Sequence, residues 1–305
     1  MTDLLLHHYD ASPFSEKVRI VFGMKGLAWR SVVQPNMMPK PHLLPLTGGY
    51  RRTPVLQIGA DVYCDTQVIV RTLERLHPTP SLYPGGSEGI SSVVQLWSDR
   101  FLFLAAVPVL FGKIGSAVPK EFIEDRTKLM AGRVDFRAIM ASAPVAADQL
   151  RAHAQLVDAQ LADGRRFLLG DAPSLADAAA YHPIWFLRAI PPTARAYAEF
   201  PRLEAWAERM KSIGHGTRSE CRPEEALEIA RAASPATRAA RDPGDPRGLE
   251  PGTKIRIVPD DYGFDPVEGE LVTSSVHEVA LRRSAPEVGE VVVHFPRAGF
   301  QVTPI

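Results

Sequence analysis

The sequence predicts a chain of three successive parts: an α/β part, a helical part and a small all-β part. Three observations support this. Residues 1–78 alternate strand-like and helix-like patterns, a proline- and glycine-rich linker follows up to Gly86, and beyond about residue 250 apolar residues alternate with polar ones. The predicted boundaries are 1–78, 87–233 and 250–305. A chain of 305 residues is long enough for more than one domain.

The first part is predicted to fold in the order β-α-β, loop, β-β-α. Short apolar runs indicate strands, apolar residues at helical spacing indicate helices, and Gly59-Ala60-Asp61 between two β-rich runs indicates a hairpin. The predicted elements are strand 4–8, helix 14–25, strand 29–33, loop 35–50, strands 53–58 and 62–64, and a helix that begins at 65 or 66 and ends near 76.

The second and third parts differ in the period of their apolar residues. Helical spacing dominates the second part, whose clearest helices are 90–111, 145–161, the helix capped by Ser174 and 224–233. Period-two runs in the third part predict strands 254–258, 270–272, 278–282, 290–294 and 300–302. These strands suggest a small β-barrel or curled sheet. Such a unit is near the lower size limit for independent stability, so we expect it to pack on the helical part or on a second subunit.

Composition excludes several classes of function. Lys+Arg and Asp+Glu both number 35, so there is no basic field for nucleic acid or anionic lipid. The two cysteines, Cys64 and Cys221, lie in no metal-binding or dithiol spacing, so no metal is predicted and a reducing compartment is favoured. The N-terminus does not resemble a signal peptide, and the apolar run 101–112 is too short and proline-interrupted to span a bilayer. We therefore expect a soluble cytoplasmic protein without membrane contact.

The junction at Ser12-Pro13-Phe14 carries the strongest chemical signal. Pro13 suits the first position of a helix, and Ser12 before it suits the N-cap. Free backbone N–H groups and the positive end of the helix dipole meet at such an N-terminus, so an anion next to Ser12 would be stabilised. A thiolate is such an anion.

Several motifs in the right order make the resemblance to one family specific. In the first 78 residues these motifs are Ser12-Pro13-Phe14-Ser15 with Lys17-Val18-Arg19, Lys25-Gly26-Leu27, Arg52-Thr53-Pro54-Val55-Leu56 and Cys64-Asp65-Thr66. They resemble the thioredoxin-like N-terminal domain of the glutathione S-transferase superfamily. The run from Phe167 to Asp177 and the run from Phe200 to Trp206 resemble that superfamily's all-helical C-terminal domain. The resemblance covers roughly three quarters of the chain and does not extend to the β part.

The resemblance implies an enzyme that activates glutathione for attack on a small apolar electrophile, with no cofactor beyond glutathione as co-substrate, and a homodimer. A free thiol with a pKa of about 8.5 is mostly protonated at neutral pH, so the enzyme must lower that pKa. In serine-type members the residue at the position of Ser12 handles the sulfur. Ser15 is the runner-up, while Tyr9 is a third candidate and His8 departs from the tyrosine-type pattern. A cysteine at position 12 would indicate thiol exchange instead.

The resemblance also implies the residues that bind the two substrates. It assigns glutathione binding to Phe14, Arg52, Thr53, Pro54, Asp65 and Thr66. Pro54 should follow a cis peptide bond, and Lys40 is an alternative to Arg52 for the glycine carboxylate. For either residue, a solvated surface charge is the more common role. The electrophile pocket is expected at Trp97, Phe101 and Leu104 of the long helix, although an apolar stripe at this spacing is more often core.

Two other functions remain open from the sequence. The first is a non-catalytic glutathione-binding or scaffold protein, with the β part recruiting a partner. The second is a glutathione-dependent isomerase, which would not consume glutathione. The sequence identifies neither the electrophile nor the role of the β part, because the shape of an apolar pocket leaves no motif.

Overall fold

The first part of the chain folds in the predicted order, except that the predicted loop 35–50 contains a short helix. The computed structural model describes residues 3–305, apart from the side chain of Ser116. Its first elements are β1 (Leu5–His8), α1 (Pro13–Met24), β2 (Ala28–Val33), the short α2 (Leu44–Thr47), β3 (Val55–Ile58), β4 (Asp61–Cys64) and α3 (Thr66–Leu76). β1 pairs in parallel with β2 and antiparallel with β3, which pairs antiparallel with β4. This is the thioredoxin-like arrangement that the resemblance implied.

Helix α1 begins as its sequence predicts. Ser12 is the N-cap, its Oγ accepts a hydrogen bond from the backbone N–H of Ser15 at 3.2 Å, and Pro13 occupies the first turn. Gly26 follows the helix with φ +61°, a left-handed conformation that a side chain would disfavour. These local signals fix both ends of the helix and leave its N-terminus beside the end of β1.

The second part is helical except for one strand. Its elements are α4 (Glu88–Trp97), a π-helical turn (Ser98–Leu102), α5 (Phe103–Ile114), α6 (Lys120–Leu129), α7 (Phe136–Ala141), α8 (Ala143–Gln160), α9 (Leu175–Arg188), α10 (Pro201–Ile213), β5 (Thr217–Glu220) and α11 (Pro223–Ala232). β5 was not predicted: its four side chains are exposed, so it has no apolar alternation, and backbone pairing with β2 holds it. The all-helical description of 87–233 therefore needs this correction.

The long helix differs from its prediction. α4, the π-helical turn and α5 form one helical run of 27 residues, Glu88–Ile114, because Pro108 lies inside α5 without ending it. By length and composition this run could cross a membrane, contrary to the expectation for the shorter run 101–112. The core helix of a globular protein meets the same criteria of length and composition, and α5 packs against α8 and α9.

The third part continues the N-terminal sheet and does not close into a barrel of its own. Its strands are β6 (Lys254–Pro259), β7 (Val267–Ser274), β8 (Glu278–Ala285), β9 (Gly289–Pro296) and β10 (Phe300–Pro304), which we call the C-terminal sheet. β9 pairs in parallel with β4, so the described strands form a ten-stranded sheet in the order β10-β6-β7-β8-β9-β4-β3-β1-β2-β5.

The C-terminal sheet has one neighbour that was not predicted, the N-terminal sheet, in addition to the helical part, whose helix α11 packs against β9. Without β9, the outer edge of β4 would have unpaired backbone N–H and C=O groups, and β9 forms hydrogen bonds with them. Apolar side chains from the first and the last part of the chain therefore share one core. It includes Leu46, Val55, Val62, Val279, Val293 and Phe295. The sequence does not reveal which edge is free, so this pairing could not be predicted from it.

A buried ionic cluster joins the C-terminal sheet to β4. The Nε2 atom of His294 on β9 lies 3.1 Å from an Asp61 carboxylate oxygen, and its Nδ1 lies 2.5 Å from Glu278 on β8. The ring stacks on Tyr63 at 4.2 Å between centroids. Burial alone would lower the pKa of His294, but the two carboxylates outweigh it and the pKa is raised above its usual value.

We expect this cluster to make the stability of the protein pH-dependent. Because the folded pKa of His294 is raised, its contribution is fully present below about pH 6.5, the unfolded value, and is lost as the pH rises through the folded pKa. The free energy of unfolding of the wild type minus that of His294→Gln should therefore fall between pH 6 and pH 9, measured by urea unfolding. A difference that is constant over this range would contradict the assignment.

Candidate functional site

The six residues assigned to glutathione line a single cavity. Phe14, Arg52, Thr53, Pro54, Asp65 and Thr66 surround it, and the Thr53–Pro54 peptide bond is cis, as predicted. The remaining lining comes from the first part (Tyr50 and Gln67), from α4 and the π-helical turn (Leu96, Asp99 and Arg100) and from the C-terminal sheet (Asp261, Tyr262, Gly299 and Phe300). Fold topology thus brings the predicted residues together, while their contact with glutathione stays a prediction.

The two candidate serines lie at the first turn of α1. Ser12 is 2% exposed and accepts the Ser15 N–H at its Oγ, so its own hydroxyl proton remains available to a neighbour. Ser15 is fully buried, and within residues 3–305 its Oγ has no hydrogen-bond partner. Neither serine is among the described residues that line the cavity. Phe14, between them in sequence, does line it, with its ring 4.7 Å from that of Phe103.

The other candidates beside Ser12 have structural contacts. His8 is buried, its Nε2 lies 3.0 Å from the Ser31 hydroxyl, and burial, followed by the charge of Arg19, lowers its pKa to about 3. It is therefore a neutral core histidine. Lys40 is buried with its Nζ 5.9 Å from the ring centre of Tyr9, and burial, followed by the nearby Arg126, lowers its pKa to about 7.

A buried charged cluster at the N-terminus of α3 was not found by sequence reasoning. Lys17 Nζ donates to both carboxylate oxygens of Asp99, at 2.6 and 2.7 Å, and to the Thr66 hydroxyl at 2.7 Å. His182 Nε2 lies 2.9 Å from Asp99. Burial tends to raise the pKa of Asp99, but Lys17 and His182 outweigh it, so Asp99 is a carboxylate. An acid inside the apolar run 90–111 was the signal available in the sequence.

Asp65 and Thr66 open α3 beside this cluster. Asp65 has φ +84° and is the N-cap, its carboxylate accepting the Gln67 N–H at 2.9 Å. Burial raises the pKa of Asp65, although Arg52 opposes the shift. The α3 N-terminus, Lys17 and two carboxylates thus lie together, which is an arrangement suited to a ligand group that carries both an ammonium and a carboxylate.

Arg52 contacts the C-terminal sheet rather than open solvent. Its Nη1 donates to the two carboxylate oxygens of Asp261 at 2.9 and 3.1 Å. Its guanidinium carbon lies 4.6 Å from the ring centre of Tyr262, 5.1 Å from that of Tyr50 and 5.6 Å from that of Phe300. The expectation of a solvated surface charge is therefore wrong for Arg52, because the C-terminal sheet covers this side chain, and for Lys40, which is buried.

The three residues predicted for the electrophile do not line this cavity in the described part of the chain. Trp97 packs against the main core, with its ring 5.6 Å from that of His153. Phe101 and Leu104 are 63% and 52% exposed on the outside of the long helix. Leu96, Asp99 and Arg100 line the cavity instead, and the last two belong to the π-helical turn. Regular helical periodicity does not predict a π-helical turn at this place.

The C-terminal sheet leaves little space at the glutathione residues. The cavity has a volume of about 40 Å³, whereas small-molecule sites typically enclose about 300 Å³ or more. A larger groove of about 480 Å³ lies beside it, between α3, α4 and turns of the C-terminal sheet, and shares Gln67 and Leu96 with it. Among the described residues, no group of three or more His, Cys, Asp or Glu is placed to hold a metal ion.

Comparison with known proteins identifies the family of the first and second parts of the chain. Residues 6–81 match the family described as glutathione S-transferase, N-terminal domain, and residues 122–209 match the glutathione S-transferase C-terminal domain. Glutathione S-transferase U4 of Arabidopsis thaliana is 24% identical over 115 residues, which are 38% of this chain and half of that protein.

Two solved structures show how far the similarity extends. A GST-like protein from Pseudomonas syringae is 39% identical, with a TM-score of 0.83 over 100% of both chains, and so includes the C-terminal sheet. A glutathione S-transferase from Rhodospirillum rubrum is 21% identical, with a TM-score of 0.52 over 68% of this chain and 88% of its own, and shows the shared fold alone. On the full-length match and the two matched domains, the chain belongs to the glutathione S-transferase superfamily.

Proposed function

We propose that this protein binds glutathione in the cavity at Thr53, Pro54 and Thr66 and activates its thiol for attack on a small apolar electrophile. The observation that carries the proposal is the convergence of all six assigned residues on one cavity beside the N-terminus of α1. Family membership supports a transferase-like protein, while the reaction itself is our inference.

Ser12 is the proposed sulfur-handling residue. Its Oγ already accepts the Ser15 N–H, so the hydroxyl can donate its proton to a bound sulfur without losing the N-cap. The free N–H groups at the start of α1 add a favourable field for the same anion. Both effects favour thiolate over thiol, and each unit of pKa lowering corresponds to about 1.4 kcal/mol of preference.

The γ-glutamyl end of glutathione is proposed to bind at the start of α3. Its carboxylate would meet the α3 backbone N–H groups, the Thr66 hydroxyl and the Lys17 ammonium, and its ammonium would meet Asp65 or Asp99. The Thr53 backbone beside Pro54 would pair with the cysteinyl residue in a strand-like manner. Opposite charges are thereby matched at both groups of the amino-acid end.

Ser12→Ala is expected to lower turnover of glutathione with a generic aromatic halide about 100-fold at pH 7, with little change in KM for glutathione, because one donor to the developing thiolate is lost. The deficit should shrink toward pH 9, since a bound thiol with a raised pKa ionises there. Steady-state kinetics over pH 6–9 measures both effects.

Two further variants distinguish the sulfur-handling role of the Ser12 hydroxyl from its role as the N-cap of α1. Ser12→Thr keeps both the hydroxyl and the N-cap and should retain most of the turnover, whereas Ser12→Ala also loses about 1 kcal/mol of helix capping, visible in thermal unfolding. Ser15→Ala should behave like the wild type. If Ser15→Ala loses turnover and Ser12→Ala does not, the sulfur-handling role belongs to Ser15.

The small cavity favours a second candidate, a glutathione-binding or scaffold protein without turnover. Arg52 is paired with Asp261 and Ser12 is almost fully buried, so the reactive groups are covered. Calorimetric binding of glutathione together with no turnover on a broad panel of electrophiles would establish this function and exclude the first. Isomerisation would be recognised by turnover that leaves the glutathione concentration unchanged.

We also propose that the protein is a homodimer and that it lies in the cytoplasm. Its small-molecule partners are glutathione and a small apolar electrophile. The equal numbers of basic and acidic residues support the absence of a nucleic-acid partner.

A further inference from the structure

The loop between β6 and β7, residues 260–266, covers the glutathione cavity and contacts both other parts of the chain. Gly263 donates its backbone N–H to the Leu129 carbonyl of α6 at 2.8 Å, and Asp260 accepts from Arg100 of the long helix at 2.6 Å. This β6–β7 loop places Asp261 and Tyr262 in the cavity lining. A segment of the C-terminal sheet is therefore part of the wall of the proposed glutathione site.

The contact between this loop and Arg52 has the chemistry of a ligand contact. Asp261 presents a carboxylate to the guanidinium of Arg52, which is the kind of group that arginine binds in peptides. Both carboxylate oxygens lie on Nη1, and within the described residues the buried Nε has no hydrogen-bond partner. The pair therefore does not use the two-nitrogen fork that an arginine can offer to a carboxylate, and a better placed carboxylate can replace it.

We infer that Asp261 is an affinity-determining residue, which competes with the carboxylate of an incoming peptide for Arg52. The inference rests on the proposed function in taking glutathione, which carries two carboxylates, as the peptide. A cavity of about 40 Å³ does not hold a tripeptide, so Asp261 and Tyr262 must move before glutathione occupies it. The exchange of one carboxylate for another keeps Arg52 paired throughout.

This competition also determines which molecules open the site. A neutral apolar molecule offers Arg52 no replacement for Asp261, so it gains nothing from displacing the loop. A ligand shifts the loop only by the difference in its affinity for the open and closed states. The closed loop therefore selects ligands that carry a carboxylate, and glutathione should bind before the apolar electrophile.

The test compares glutathione binding by the wild type, Asp261→Asn and Asp265→Asn. Asparagine keeps the size of Asp261 and its hydrogen bond from the Tyr262 N–H, 2.8 Å in the wild type, but removes the charge that holds Arg52. Asp265 is exposed in the same loop, so Asp265→Asn is a matched control for net charge. Calorimetry should show about tenfold tighter glutathione binding by Asp261→Asn and no change for Asp265→Asn. Unchanged or weaker binding by Asp261→Asn, with wild-type binding intact, would overturn the inference.

A second readout separates this inference from the proposed function. Phenylglyoxal modifies accessible arginines, and peptide mass spectrometry reports the rate at Arg52. That rate should be at least several-fold higher in Asp261→Asn than in the other two proteins. If no variant binds glutathione, the proposed function fails. The inference then survives for another carboxylate ligand if Arg52 alone reacts faster in Asp261→Asn, and it is refuted if the rates are equal.

Discussion

Replacing Lys17 by methionine is expected to lower the free energy of unfolding by about 3 kcal/mol at pH 8, because Asp99 would remain buried without its cation. Lys17 is 0% exposed, and its Nζ contacts both Asp99 oxygens and the Thr66 hydroxyl. Methionine preserves the length of the side chain, so the loss reports charge and hydrogen bonding rather than a cavity. Urea unfolding followed by circular dichroism measures it.

The loss of stability caused by Lys17→Met should become smaller at acidic pH. The charge of Lys17 contributes to the low pKa of His182, which burial and then this charge lower to about 4. Without that charge, His182 or Asp99 takes up a proton more readily, so the folded variant binds more protons than the folded wild type and its deficit in stability shrinks as the pH falls. A deficit of the same size at pH 5 and pH 8 would contradict this account.

A matched control comes from a lysine on the surface. Lys120 is 75% exposed on α6 and pairs with Glu124 only at 3.5 Å, so Lys120→Met should change the free energy of unfolding by less than about 0.5 kcal/mol. Lys17→Met should also lose measurable glutathione binding, whereas Lys120→Met should retain it. Retained glutathione binding by Lys17→Met would remove Lys17 from the proposed γ-glutamyl site.

Replacing Asp177 by alanine is expected to destabilise the helical part by about 3–5 kcal/mol. The fully buried Asp177 carboxylate forms a capping box with Ser174 at the start of α9. It accepts from the Ser174 N–H at 2.9 Å, the Leu168 N–H at 2.7 Å and Trp206 Nε1 at 2.9 Å. Alanine would leave these donors buried without an acceptor. Guanidinium unfolding measures the change.

The control for Asp177→Ala lies in the loop that precedes α9. Asp171 is exposed, so Asp171→Ala should stay within about 0.5 kcal/mol of the wild type. Asp177→Asn keeps one oxygen acceptor and should be intermediate between alanine and the wild type. If Asp177→Ala is as stable as Asp171→Ala, the three N–H donors must form hydrogen bonds to water instead. The Asp177 carboxylate would then not be what holds α9 to α10.

Sequence reasoning succeeded where neighbouring residues decide the structure. The start of α1 depends on Ser12 and Pro13, the start of α9 depends on Ser174 and Asp177, and the turn between β3 and β4 depends on Gly59. Each signal acts within a few residues, through capping, a fixed φ angle or a glycine turn. The order of the main strands and helices in the first part and the grouping of the proposed glutathione residues could therefore be predicted.

The role of the C-terminal sheet could not be predicted in the same way. Alternating apolar residues predicted its strands, but the pairing of β9 with β4 depends on which sheet edge is free. The approach of Asp261 to Arg52 joins residues 209 positions apart, and no local pattern encodes such a contact. The sequence did not predict that the site is covered, because the residues that cover it lie outside the family motifs.

The sequence by itself determined the family, the main strands and helices of the first part and the residues proposed for the glutathione site, since caps, turns and periodicity act over short distances. The tertiary structure decided that the Lys17–Asp99 pair is buried at the start of α3, and that a loop of the C-terminal sheet closes the cavity with Asp261 on Arg52. Charges distant in sequence are brought together by the packing of the three parts. Their effect on ligand binding therefore depends on three-dimensional distance and burial.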